Sequence, residues 1–154
     1  MLITKFIEID MGHRVTNHKS KCRNLHGHRY KVVVGVDDKV ITTSGASDEG
    51  MVIDFSNLKE IMMQEIDEKL DHGFMMWDND PFKPLFETMK FNEEQKIIFV
   101  PFVPTAENIA KYLFDIMQRK LFARDIAIKY VEIYETPTST AKYTIENARE
   151  EMPF

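Results

Sequence analysis

The residue types best suited to chemistry crowd into one stretch, Cys22-Arg23-Asn24-Leu25-His26-Gly27-His28-Arg29-Tyr30, which runs straight into Val32-Val33-Val34. It contains the only cysteine of the chain and two of its five histidines. The valines predict a strand, and side chains alternate faces along a strand, so His26 and His28 project to one side with Cα atoms roughly 6–7 Å apart. That spacing suits two ligands of one metal ion. Tyr30, Val32 and Val34 share their parity, so the imidazoles end a face that is apolar farther along. A third imidazole, His13, closes an earlier run in which Ile3, Ile7, Ile9 and Met11 alternate with Thr4, Glu8, Asp10 and Gly12. A bulge-free hairpin of the two strands brings His13 beside His26 and His28. Three histidines leave the fourth position of a tetrahedral zinc ion open, the arrangement of catalytic zinc. Cys22 as a fourth ligand would close the site and make the zinc structural. The plainest alternative is histidines that only cap strand ends.

Cys22 has His18, Lys19, Lys21 and Arg23 for sequence neighbours. Positive charge favours thiolate, the form that acts as base or nucleophile, and the same cations suit a polyphosphate. The alternative is a solvated basic loop with a bystander thiol. Asp71-His72, just past a helix end, offers an acid–base pair, although surface Asp-His pairs are common and need not touch. Glu135 follows Val131 and Ile133 on one strand face, where a carboxylate is costly unless a ligand or cation satisfies it. A flat heterocycle with an N–H beside an amino group would pair with both its oxygens. Otherwise it is a strand-end glutamate that reaches solvent.

Periodicity gives the elements that must position these groups. Strands run from Ile3 to His13 and from His26 to about Asp37, joined by a loop from Arg14 to Leu25. Asp54 or Ser56 caps a helix with Phe55, Leu58, Met62, Ile66 and Leu70 at helical spacing, stopping near Gly73. Phe74 to Glu94, with Pro81 and Pro84, reads as an irregular excursion, and Lys96 to Val100 as a short strand. Thr105 starts a second helix with Ile109, Leu113, Met117 and Leu121 on one face. Glu107 follows Thr105 too closely for a regular capping box and complements the helix dipole instead. Two strands end the chain, Ile128 to Glu135 and through Ala141 to Ile145, around a turn at Thr136-Pro137-Thr138-Ser139. The order is ββααββ with a long insert between the helices, an α+β class with two helices packed on one face of an antiparallel sheet.

A chain of 154 residues that is 44% apolar, with 11 Phe and 10 Met, supplies the core of one domain, residues 1–154. Its net charge of −5 argues against nucleic acid as the main partner. No run of about 18 apolar residues predicts a membrane helix, and the first residues alternate like a strand instead of reading as a signal peptide. A single cysteine allows no internal disulfide, which fits a reducing cytoplasm.

Gly12-His13, the run from Cys22 to His28, Gly50-Met51-Val52-Ile53-Asp54-Phe55, Leu70-Asp71-His72, Pro104-Thr105-Ala106-Glu107-Asn108 and Glu135-Thr136 with Tyr143 together resemble the 6-pyruvoyltetrahydropterin synthase and 6-carboxytetrahydropterin synthase family. The resemblance runs from about residue 5 to 145. It implies a tunnelling fold whose trimers close a barrel and stack into a homohexamer, with sites at subunit interfaces. It also implies a zinc-dependent reaction on 7,8-dihydroneopterin triphosphate. By resemblance His13, His26 and His28 hold the zinc, Cys22 is the catalytic thiol, and Asp71 and His72 form its partner relay. Glu135 then anchors the pterin ring with help from Thr105, Ala106 and Glu107. The three residues between Cys22 and His26 resemble the carboxy type, a lyase that releases triphosphate and acetaldehyde and feeds queuosine synthesis. The alternative is the pyruvoyl type, which eliminates triphosphate without cleaving the side chain. Gly73-Phe74-Met75-Met76 departs from the leucine-asparagine pair many relatives carry there, and the excursion to Glu94 is longer than in compact members.

Overall fold

The computed structural model describes residues 1–151. Strands β1 (Leu2–His13) and β2 (His26–Asp37) pair antiparallel without a bulge, from Leu2 opposite Asp37 to His13 opposite His26. Ile7, Ile9, Met11 and His13 of β1 and Tyr30, Val32, Val34 and Val36 of β2 are buried, the face that the period-two pattern selects. Strand β5 (Ile128–Thr136) pairs antiparallel with β2, and β6 (Ser139–Thr144) with β5. Val131 and Ile133 thereby extend the apolar face toward Glu135.

Asp54 caps α1 (Phe55–Met62) by accepting the Ser56 N–H at 2.6 Å. The helix continues through a π-helical turn, Met63–Asp67, into α2 (Glu68–Leu70). Leu58, Met62, Ile66 and Leu70 stand four apart, which on an α-helix drifts about 40° per step. The wider π turn absorbs that drift, and all four are buried. Phe55, expected on the same face, is 52% exposed because it stands at the first helical position, before the helix reaches the core. Helix α4 (Ala106–Phe122) buries Ile109, Leu113, Met117 and Leu121 in the same core, and its cap Thr105 accepts from the Asn108 N–H.

The α+β class and the packing of helices on a sheet are as the sequence predicts, but the order is longer than ββααββ. Residues 74–94 are not irregular: they hold β3 (Phe74–Trp77) and α3 (Lys83–Asn92). Pro84 lies in the first turn of α3, where its missing N–H leaves no bond unmade. Strand β3 pairs parallel with both β1 and β4 (Ile97–Val100), giving the sheet order β4-β3-β1-β2-β5-β6, so the sheet is not wholly antiparallel. Phe86 of α3 packs with Met76 and Ile97 in a second, smaller core. The last strand ends at Thr144, and residues Ile145–Glu151 form helix α5. Among the described residues no helix is long and apolar enough to cross a membrane.

Glu65, in the π turn, is buried and ties this helix to α4 through Lys120 at 2.8 Å and to α2 through Lys69. Hydrogen bonds from Lys120 and then Lys69 hold its carboxyl below the ordinary value of 4.5, against the opposing effect of burial. Both lysines are half exposed, so the tie contributes about 1 kcal/mol. A depressed folded-state value means that this stabilisation is present above pH 4.5 and is lost as pH falls through the lower value. Glu65→Gln should therefore lower the melting temperature at pH 7 by about 2–5 °C, and the gap from wild type should close toward pH 3. A gap that stays constant across that range in thermal melts contradicts the assignment.

Candidate active site

The register of the first hairpin sets His13 and His26 side by side at its mouth, and His28 opposite Met11 one step in. Ring centroids are 4.6 Å apart for His13 and His26, 5.2 Å for His13 and His28, and 5.1 Å for His26 and His28. His13 Nδ1 donates to the Pro104 carbonyl at 2.7 Å, and His26 Nδ1 to the Asn24 carbonyl at 2.7 Å. These carbonyls set the tautomer and turn the Nε2 lone pairs inward, the support typical of metal-binding histidines. His13 is 1% exposed, and its Nε2 and that of His28 are buried without hydrogen-bond partners. Burial lowers both pKa values, which keeps the imidazoles neutral. One ligand atom from each of the three lies within 4.8 Å of the others. Three convergent ring nitrogens, those of His13 and His28 buried without partners, fit a metal ion. Cys22 does not belong to this converging group.

Glu135, at the end of β5, points its Oε1 at the same centre, 3.6 Å from His13 Nε2 and 3.9 Å from His28 Nε2. Beneath it lies Tyr30, 1% exposed, its ring edge-on to His13 and His28 and its hydroxyl buried without a hydrogen-bond partner. Burial, and then the nearby charge of Glu135, push its ionisation well above the ordinary value of 10. Tyr30 carries no role in the sequence reading, although its parity with His26 and His28 was the available signal. No sequence signal marks the carbonyls of Asn24 and Pro104.

Cys22 sits in a short 3-10 turn, Lys21–Arg23, and is partly exposed. It shares a cavity of about 320 Å³ with His13, Thr105, Ala106, Glu107 and Glu135. Residues far apart in sequence thus meet around one space. A larger depression of about 720 Å³, lined by Asp38, Asp48, Asn57 and Arg124, holds none of them. Asp71 and His72 also pair: His72 Nδ1 donates to Asp71 Oδ2 at 2.7 Å while Asp71 Oδ1 accepts the Asp10 N–H at 2.8 Å. Burial opposes ionisation of Asp71, but these hydrogen bonds hold its pKa below the ordinary value. His72 stands at φ 56° with its side chain 77% exposed, beside a depression it shares with Gly27, His28 and Lys96 and not with Cys22.

A model of the 6-pyruvoyl tetrahydropterin synthase family matches residues 2–146. The chain belongs to that family. A Haemophilus influenzae member named 6-carboxy-5,6,7,8-tetrahydropterin synthase is 36% identical over 141 residues, covering 92% of this chain and 96% of its own. The crystal structure of an uncharacterized Wolinella succinogenes protein superposes with a TM-score of 0.78 at 28% identity, covering 94% of this chain and 98% of that one. Caenorhabditis elegans 6-pyruvoyl tetrahydropterin synthase superposes with a TM-score of 0.65 at 24% identity, covering 94% of each, a likeness of fold.

In this member of the family the fit of the three histidines to a metal makes a direct prediction. Divalent metal at a thousandfold excess over its Kd should stabilise the fold by about 4 kcal/mol. His13→Ala should cut bound metal from about one to below about 0.1 per chain and remove the metal-dependent rise in melting temperature. Metal content that survives the substitution, measured by mass spectrometry on folded protein, contradicts the assignment.

Proposed function

We propose that the protein is a zinc-dependent 6-carboxy-5,6,7,8-tetrahydropterin synthase. It converts 7,8-dihydroneopterin triphosphate and water to 6-carboxytetrahydropterin, acetaldehyde and triphosphate. The observation that carries this reading is the one cavity lined by His13, Cys22, Thr105, Ala106, Glu107 and Glu135, with unpartnered imidazole nitrogens beside it. The relative of that name, alike over nearly the whole chain, supports the carboxy branch.

His13, His26 and His28 would hold the zinc, which when bound would supply Lewis acidity toward side-chain oxygens of the substrate and so acidify the neighbouring C–H groups. Glu135 accepts the pterin ring N–H and amino group through its two oxygens. Thr105, Ala106 and Glu107 orient the ring at the start of α4, where the Ala106 and Glu107 N–H groups have no partner within the helix. Cys22, as thiolate, removes a side-chain proton, and His72 gives or takes the second at Nε2, its Nδ1–H held by Asp71. The released electrons reduce the pterin ring, so no nicotinamide is needed.

His72, held by Asp71, lines a different depression from Cys22. We therefore assign the relay of one subunit to the thiol of another, in a hexamer of two stacked trimers. The reaction belongs to queuosine synthesis in the cytoplasm, where a lone thiol stays reduced.

Incubation of zinc-loaded protein with dihydroneopterin triphosphate should release one acetaldehyde per triphosphate, read by coupled alcohol dehydrogenase. A diketo product without acetaldehyde would sink the carboxy reading in favour of the pyruvoyl one. Cys22→Ala should lower kcat by about a hundredfold or more while zinc is retained. Glu135→Gln should weaken pterin binding about tenfold, and unchanged affinity in calorimetry removes the anchor role.

A further inference from the structure

The turn between β3 and α3 has no part in the chemistry above, yet it delivers a buried carboxylate. Among the described residues the buried carboxylates are Glu65 and Asp80, and Asp80 is buried against Arg14 and Thr16, themselves buried. Asp80 Oδ2 accepts the Thr16 hydroxyl and lies 3.1 Å from Arg14 Nε, an ion pair whose N–H is not aligned as a hydrogen bond. Asp80 Oδ1 accepts the Phe82 N–H at 2.8 Å, so its own turn fixes the direction of the carboxylate. The Arg14 guanidinium completes the cluster, 4.1 Å over the Phe82 ring.

The cluster grips both sides of Val15, the residue on which the thiol loop closes. Val15 N–H donates to the Cys22 carbonyl at 2.9 Å, and the Val15 carbonyl accepts the His18 N–H at 3.2 Å. The turn around Cys22 is otherwise held by short-range bonds, Arg23 N–H to Ser20 and Asn24 N–H to Lys21. A buried ion pair adds little stability over well-packed apolar residues, so its consequence lies in what it orders.

We propose that Asp80 is a positioning residue for Cys22. From the segment between β3 and α3 it fixes Arg14 and Thr16, and through Val15 the backbone of the thiol turn. The proposal rests on the reading of Cys22 as the catalytic base. A reacting group displaced by about 1 Å loses on the order of a hundredfold in rate, so a loosened tether should register in turnover before it unfolds the chain.

Two variants test this on metal-loaded protein. Thr16→Val removes the hydroxyl bond and keeps the ion pair; Asp80→Asn removes the charge. Because Cys22 is the only thiol, its iodoacetamide alkylation rate at fixed pH reports its setting independently of turnover. Each variant should shift that rate by about threefold or more and lower kcat about tenfold, with KM within about twofold. A wild-type alkylation rate or a wild-type kcat in folded Thr16→Val overturns the proposal, whatever the change in melting temperature. If Asp80→Asn does not fold, Thr16→Val decides alone. Failure of the underlying reading is separate: it shows as undiminished turnover in Cys22→Ala.

Discussion

Everything in this molecule hangs on the bulge-free pairing of β1 with β2, which ends on His13 opposite His26. Histidines alone could not set that register. Ile7, Ile9, Met11, Tyr30, Val32 and Val34 are all buried on one face, and each such side chain contributes about 1.5–3 kcal/mol. A slip of one residue would turn the whole row to the other face of the sheet. The apolar row therefore fixes the strands, and the three imidazoles take their positions from it. Carbonyls from the loop before β2 and from the approach to α4 then set the ring tautomers, so the candidate metal site joins three parts of the chain.

The electrostatics of this centre set burial against the Pro104 carbonyl and the Glu135 carboxylate. Burial lowers the His13 and His28 pKa values; against it stand the Pro104 hydrogen bond at His13 and, at both, Glu135, nearby but beyond hydrogen-bonding distance. Burial wins, so both imidazoles favour the neutral form, the one able to ligate a metal. Glu135 keeps a partly exposed carboxylate facing the cavity that Cys22 shares, a group still able to take a polar ligand. The relay pair is well formed, yet its His72 lines a depression that Cys22 does not share, and the proposed function accordingly needs more than one subunit.

Much of this was legible in the sequence because it follows short-range rules. Alternation over Ile3 to His13 and His26 to Asp37 gave both strands and the parity of their histidines, and the spacing from Ile109 to Leu121 gave α4. What escaped depends on long-range contact. Phe74-Met75-Met76-Trp77 shows no alternation because Met75 and Met76 are both buried, one in each core. The exposure of Phe55 reflects where the helix meets the core, which periodicity does not encode. Thr16 and Asp80 touch across 64 residues, and nothing in either neighbourhood announces the contact. Tyr30 was within reach through its parity, but a tyrosine on an apolar strand face reads first as core.

The central claim is that three histidines hold the metal while Cys22 stays outside the ligand set. X-ray absorption at the zinc edge of metal-loaded protein tests it most directly. The account predicts scattering from nitrogen or oxygen at about 2.0–2.1 Å with no sulfur shell. A sulfur contribution at about 2.3 Å would make Cys22 a fourth ligand, close the site and contradict the account.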